Sequence, residues 1–532
     1  MLYQAKPQLI ALTEDDVYKG LLDHGLFCER IPPCFTSTGL AATIGNAFDS
    51  IFTETIEKKL KKILDQRSHD YIRYESMRDI NIPRHLGIPH PESYAIQTLA
   101  VKKYWDEIQK HCAQPDNQVS RIYARHIDGG RIFEMNYKGA DRFQLEENEI
   151  LWMAGVQFVV ETDISACFPS IYTHSIPWAL HGRNNSKTKR CLLDLSGNFL
   201  DKCTQNIRDG QTNGILIGPH ASNIISEIIL TRIDANLIQK GYKKLKRFID
   251  DYTFFADTYE EAEKFIRDLG LALREFELSI NEKKTKILTL PRPSVENWVR
   301  ELNRFVFQKG EEINFSTIRY FLDLALELST ASGTSAPLNY AIKMAPKKMN
   351  QRTKKLYVQE VLNLTLAFPY LAPFLDKHIF DNFSYEGIET SITDFVHKFI
   401  RLGIKKLYPD AIAYGLYFAL KNGIILELRA DEYDEIVGFD DCLVTVLLLE
   451  YALKQNLREV RASIIKLSDA LKSAEERARD RQWLLIYQIW TEAELRGNQQ
   501  QFLANLKKLQ FQFLSFSPKV KPNSPNNYGD QS

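Results

Sequence analysis

Three aspartates are placed where they could do chemistry. Asp163 closes the apolar stretch GVQFVVETDI, and Asp250 and Asp251 stand side by side in RFIDDYTFFA. One carboxylate followed by two is a ligand set for a pair of hard, octahedral cations, because magnesium prefers carboxylate, water and phosphate oxygens. Two such ions a few ångströms apart would lower the pKa of an attacking hydroxyl, brace the developing charge at phosphorus and neutralise a leaving pyrophosphate. Without a cation the three acids would repel one another, so the site should be strained or partly protonated.

The flanking sequence says which elements must carry these groups. In GVQFVVETDI, Val156, Phe158 and Val160 alternate with Gln157, Val159 and Glu161, the period of a strand that runs toward Asp163. LKRFIDDYTFFA reads as strand, turn, strand, with Asp250 and Asp251 at the tip between Phe248, Ile249, Phe254 and Phe255. By itself an aspartate pair is as often a turn or a helix cap. Asp15 and Asp16 after Thr13, and Asp440 and Asp441 before CLVTVLLLEYALK, read as helix N-termini. In NGILIGPHASNIISEIIL, Gly214 and Gly218 permit close backbone approach, Pro219 fixes the entry, and the apolar run with Glu227 predicts a packed helix. Thr258 and Glu261 form a capping box for the next helix, and LSINEKKTKI returns as a strand after a basic turn.

In this order and at these separations, TDISACFPSIYTHSIPWALHG, GILIGPHASNIISEIIL, FIDD and LSINEKKTKI resemble the successive core motifs of a reverse transcriptase. The tract YTHSIPWALHG is similar to the abortive-infection and related defence-associated reverse transcriptases of bacteria and their prophages. The resemblance runs by motif from about Leu26 to Pro293, and GLFCERIPPCF and RDINIPRHLGIPHPESYAIQTLAVKKYW resemble the family's N-terminal and fingers motifs. It implies that Asp163, Asp250 and Asp251 hold two magnesium ions, or manganese, with the peptide oxygen of Ile164 a further ligand. It places Phe168 against the sugar of the incoming nucleotide, where a 2′-hydroxyl would collide, so deoxynucleoside triphosphates are the implied substrate; plain core packing is the other reading of that ring. Gly218 and Pro219 would lie beneath the nucleotide, and Lys284 would protonate or screen the pyrophosphate. Arg121 and Arg125, with Arg84, His85 and Arg131, are candidates for triphosphate contact. The family pattern GIPxGP has Leu216 here in place of its first proline, which leaves the shape of that loop open.

Composition limits the rest. The 532 residues suggest two or three domains. With 68 basic and 68 acidic residues, a nucleic-acid path must be a local stripe, for which GRNNSKTKR (182–190) and IKMAPKKMNQRTKK (342–355), both free of acids, are candidates. The seven scattered cysteines show no metal-binding spacing, and no signal peptide or long apolar span is visible, so a cytoplasmic, membrane-free protein is expected. From about Phe315 onward the pattern is of successive amphipathic helices, best read as a HEAT-like array, with an irregular bundle as the alternative.

The expected fold is α+β: a right-hand palm with fingers (1–305), an all-α HEAT-like domain (306–516) and a disordered polar tail (517–532). The resemblance implies a bacterial antiphage enzyme that makes DNA without a template, primed by one of its own tyrosines, with Tyr3 and Tyr18 ahead of Tyr71 and Tyr74. It also implies a covalently attached DNA product and a homo-oligomer. Two alternatives stay open: an enzyme templated by a noncoding RNA, and a catalytically idle scaffold that only holds nucleic acid.

Overall fold

The computed structural model describes residues 12–45, 68–78, 83–112, 119–133, 150–293, 295–305, 313–345, 349–383 and 388–516. Tyr3, the tail from 517 and residues 346–348 of the second basic stretch lie outside them.

Two sheets carry the first half. Strands β1 (Tyr71–Met77) and β2 (Pro83–Pro89) form an antiparallel pair. The second sheet has four antiparallel strands, β3 (Phe158–Asp163), β4 (Leu245–Phe248), β5 (Asp251–Ala256) and β6 (Lys286–Thr289), in the order β4-β5-β3-β6. The central strand β3 is buried on both faces. Its Val160 enters the main core, whereas Val159 joins Val156 and Phe255 in a small cluster with Trp152 and Leu288 on the opposite side, as alternation along a strand requires.

Helices cover the sheet and lead into the second half. Helix α1 (Glu14–His24) starts at a Thr13 and Asp16 capping box, as predicted. It is followed by α2 (Pro91–Lys103), α3 (Trp105–Cys112), α4 (Cys167–Ser170), α5 (Ser175–His181), α6 (Arg183–Thr188), α7 (Ser196–Asn206), α8 (His220–Gln239) and α9 (Tyr259–Arg274). In α9 the Thr258 hydroxyl accepts from the Glu261 N–H at 3.2 Å, the predicted cap.

Beyond β6 the described chain is helical. Asp441 caps the largely apolar helix Cys442–Lys454, accepting from Val444 N–H at 3.0 Å. Helices Glu389–Lys406 and Pro409–Asn422 pack so closely that a side chain at Gly403 or Gly415 would run into Ile412 or Ile400. Helix lengths vary, and the π-helical turn Asp376–Phe380 interrupts the series. No strict repeat is visible in this region.

The helical half is tied to the first half at several places. The C-terminal end returns to the start of the chain: Thr36 N–H donates to Phe513 C=O at 2.9 Å and Ser515 N–H to Cys34 C=O at 2.8 Å. Phe27, Phe35, Trp483 and Phe513 interlock around that junction. Asp410 lies buried beneath β1, where it takes the Tyr74 hydroxyl and, at 2.9 Å, the Met77 N–H.

Burial pushes the Asp410 carboxyl up to about 7, against about 3.9 in an unfolded chain. Between those values the folded state keeps a proton that the unfolded state has released, so stability declines as pH rises through this window. Asp441, also pushed by burial to about 7, adds to the decline. Asp410→Asn is expected to flatten it by up to about 1.4 kcal/mol per pH unit in urea titrations run from pH 4 to 8, with the Asp441 contribution remaining.

Candidate active site

Strand register brings the acids together. Asp163 and Asp251 are directly paired residues at the ends of β3 and β5, and Asp250 occupies the two-residue turn between β4 and β5. Ile164 N–H donates to Asp250 C=O at 3.2 Å. On the other side of the chain, Asn281 N–H donates to Asp163 C=O at 2.7 Å and Ser165 N–H to Ser279 C=O at 2.9 Å. Ile164 therefore turns its own carbonyl toward the hairpin, because N–H and C=O of one extended residue share a side. Its side chain is buried.

The electrostatics follow from this crowding. Burial, then the charges of Asp163 and Asp251, push the Asp250 carboxyl up to about 6. Asp251 is raised by burial and then by Asp163. Lys284 Nζ lies 2.5 Å from Asp163 Oδ2, and that hydrogen bond holds the ammonium more firmly protonated than usual. Asn281 Nδ2 approaches the same oxygen at 3.3 Å. The predicted lysine thus stands at the acid cluster, with Asn281 as a neighbour that sequence reading missed.

The turn itself is strained, and a buried cation holds it. Ile249 has φ 58°, an unfavourable conformation for a β-branched residue. Its carbonyl accepts from Arg247 Nη1 at 2.9 Å. Arg247 is 0 % exposed and bridges two acids of α8: Nε and Nη2 reach Asp234 Oδ2 at 3.0 and 2.7 Å, and Nη1 and Nη2 reach Glu227 at 3.0 and 3.1 Å. Tyr252 donates to Asp234 Oδ1 at 2.8 Å. Burial opposes the guanidinium charge, but Asp234 and then Glu227 outweigh it and keep Arg247 protonated. The signal was legible: two acids seven residues apart on a helix that is apolar all round need a buried counter-ion.

Around this centre the other predicted residues divide. Phe168 lines a small, open recess with Ile122, Phe133, Asn223, Ser226, Glu227 and Ile249. Gly214 N–H and Ile215 N–H donate to Ile171 and Phe168 carbonyls at 2.7 and 2.9 Å, tying the glycine loop to the segment after Asp163. Gly218 has φ 132° and faces Cys28, and Pro219 caps α8. Leu216, where the family has proline, is buried over Gly87.

Arg121 and Arg125 are 7 % and 5 % exposed, set against the rings of Trp152 and Tyr123. Arg84 on β2 is half-buried; burial, then the charges of Arg78 and Arg30, lower its pKa, while Asp250 acts on it from the other direction. Arg78, which also acts on Asp251, thus joins Arg84 as a cationic neighbour of the acids, with Arg30 close to Arg84, and neither was anticipated. His85 is exposed beside Glu75, and Arg131 reaches toward Glu29 at 3.9 Å. Of the tyrosines proposed for priming, Tyr18 is half-buried under Lys102, Tyr71 is half-buried, and Tyr74 is sealed against Asp410.

The all-oxygen donor set suits magnesium: three aspartates and the Ile164 carbonyl, at a corner where like charges crowd. A different trio, His69, His90 and Asp480, has its donor atoms within 4.8 Å of one another. Its two imidazoles stack at 4.1 Å and 7°, so their nitrogens run parallel instead of converging on one ion.

Residues 117–315 match the family described as reverse transcriptase (RNA-dependent DNA polymerase). That span holds the three aspartates, Phe168, the glycine loop and Lys284. Over these residues the chain carries a reverse transcriptase domain. No curated protein matches the sequence.

Similar solved structures include three of telomerase from Candida Tropicalis. The apo form truncated from its C-terminal domain is 11 % identical with a TM-score of 0.29; the match covers 46 % of this chain and 56 % of that one. The apo form is 11 % identical, with a TM-score of 0.32 and coverage of 78 % and 74 %. The complex with a TWJ fragment of telomeric RNA is 13 % identical, with 0.30 and coverage of 73 % and 68 %. The present chain thus spans little more than half the length of the truncated telomerase.

Replacing Arg247 with Met is expected to strand Glu227 and Asp234 as buried, unpaired charges and to destabilise the fold by about 3–5 kcal/mol. Chemical denaturation of Arg247→Met beside the triple variant Glu227→Gln/Asp234→Asn/Arg247→Met checks this, because the triple variant should recover much of the loss.

Proposed function

We propose that the protein polymerises deoxynucleotides by two-metal nucleotidyl transfer at Asp163, Asp250 and Asp251. The observation that carries this reading is the pairing of Asp163 with Asp251 at two strand ends, with Asp250 in the adjoining turn. Those carboxylates with the Ile164 carbonyl would hold magnesium, or manganese in its place, which when bound would supply the Lewis acidity that activates an attacking hydroxyl and offsets the charge of the pyrophosphate. Lys284 screens the negative charge at Asp163, Arg84 with Arg30 and Arg78 supplies positive charge for the triphosphate, and Phe168 excludes a 2′-hydroxyl.

In biological terms we read the enzyme as a bacterial defence reverse transcriptase of the abortive-infection kind. Support comes from the resemblance of the tract from Tyr172 to Gly182 and from a palm that continues directly into helices. On this reading residues 1–305 are palm and fingers, 306–516 a HEAT-like array, and synthesis is primed by a tyrosine, Tyr3 or Tyr18, without a template. The chain then works as a cytoplasmic homo-oligomer with its DNA attached. An RNA-templated enzyme is the second reading; the basic stretches 182–190 and 342–355 favour it only in offering charge for a strand.

Incubating the purified protein with magnesium and labelled deoxynucleotides alone, with and without added RNA, tests both. Self-priming predicts label that stays with the polypeptide until protease is added; label that appears only with RNA, as free product, selects the templated reading. Asp250→Asn is expected to reduce incorporation by about a thousandfold or more, the several kcal/mol contributed by a metal ligand. Unchanged incorporation would remove the polymerase assignment of this site. Phe168→Ala is expected to raise ribonucleotide incorporation relative to deoxynucleotide, read from single-nucleotide extension with each substrate.

A further inference from the structure

We propose that Tyr172, His174 and Trp178, with the basic helix α6, form a track for one nucleic-acid strand beside the polymerase centre. This rests on the polymerase reading only for the strand's role as template or product. The segment is wired to the glycine loop: Thr173 N–H donates to Thr212 C=O at 2.8 Å, and Tyr172 pairs with Asn213.

Its rings form a ladder. Tyr172 lies 4.9 Å from His174 at 85° and 5.7 Å from Trp178 at 62°, and the Arg183 guanidinium sits 4.3 Å over Trp178. All three rings are half-buried, so each keeps surface for a ligand. His174 is held by Asp201 at 2.5 Å, and Gln205 fixes that carboxylate at 2.6 Å. The Asp201 hydrogen bond keeps the imidazole more readily protonated than usual.

Charge continues the track. Arg183, Lys187, Lys189 and Arg190 are exposed in a stretch without acids, and the facing acid is Glu277, 3.5 Å from Arg183. Aromatic faces followed by cations suit bases and then phosphates. The occupant is a single strand because in a duplex the base faces are already stacked on one another and cannot meet a side-chain ring.

The test is fluorescence anisotropy with nuclease-treated full-length protein and labelled oligothymidylate or oligouridylate of about 15 nucleotides. Tyr172→Ala and Trp178→Ala are each expected to weaken binding about tenfold. Neutralising the exposed residues in Lys187→Gln/Lys189→Gln/Arg190→Gln should lower the salt dependence by about two in log–log slope, and this surface variant serves should a ring variant fail to fold. Weakening for the DNA strand alone marks a product track, for RNA alone a template track, and either outcome or both supports the proposal. It is overturned if the unmodified protein binds neither strand, or if every variant binds both as the parent does. The polymerase reading fails separately: an Asp250→Asn protein that still incorporates nucleotide would sink that reading while leaving the strand-binding result intact.

Discussion

Carboxylates of like charge do not gather unless something else holds them, and here the holding is done by a buried guanidinium. Arg247 is locked between Glu227 and Asp234 on one helix and spends its remaining donor strength on the carbonyl of Ile249, one residue before the acid pair. A β-branched residue at φ 58° would otherwise relax. The backbone of the same arginine pairs with Val119 and Arg121, so the ion cluster also fixes the chain at residues 119–121. The geometry of the acid corner is thus inherited from a charge network one residue removed from it.

A second consequence concerns the helical half. It shares one apolar core with the reverse transcriptase part and is clasped to it by the return of the C-terminal strand-like segment onto Cys34–Thr36. Tyr74 and Met77 of the first hairpin rest on Asp410, and Asp70 receives Arg481 at 2.6 Å. The hairpin that carries Arg84 therefore takes its position from the helices as well as from the palm.

Where sequence reasoning succeeded, the signal was local and periodic. Alternation in GVQFVV placed Asp163 at a strand end, and β-formers on both sides placed Asp250 and Asp251 at a hairpin tip, as the structure has them, and the caps at Thr13, Thr258 and Asp441 were readable from side chains that satisfy free amides. It was less successful with cations. Arg121 and Arg125 looked available for a triphosphate but are buried against aromatic rings, whereas Arg78, unremarked in the sequence, acts on both Arg84 and Asp251. A long cationic side chain has no period, so its destination depends on which elements fold over it.

The amino-acid sequence by itself determined the elements and the chemistry of the acid trio, because hydrogen-bonding period and carboxylate identity are local properties. Tertiary structure alone decided the register that sets Asp163 opposite Asp251, which cation answers the two buried acids of α8, namely Arg247, thirteen and twenty residues away, and the seating of Tyr74 on Asp410. These depend on long-range packing, in which a partner is chosen by shape and charge across the core and leaves no mark in the neighbouring residues.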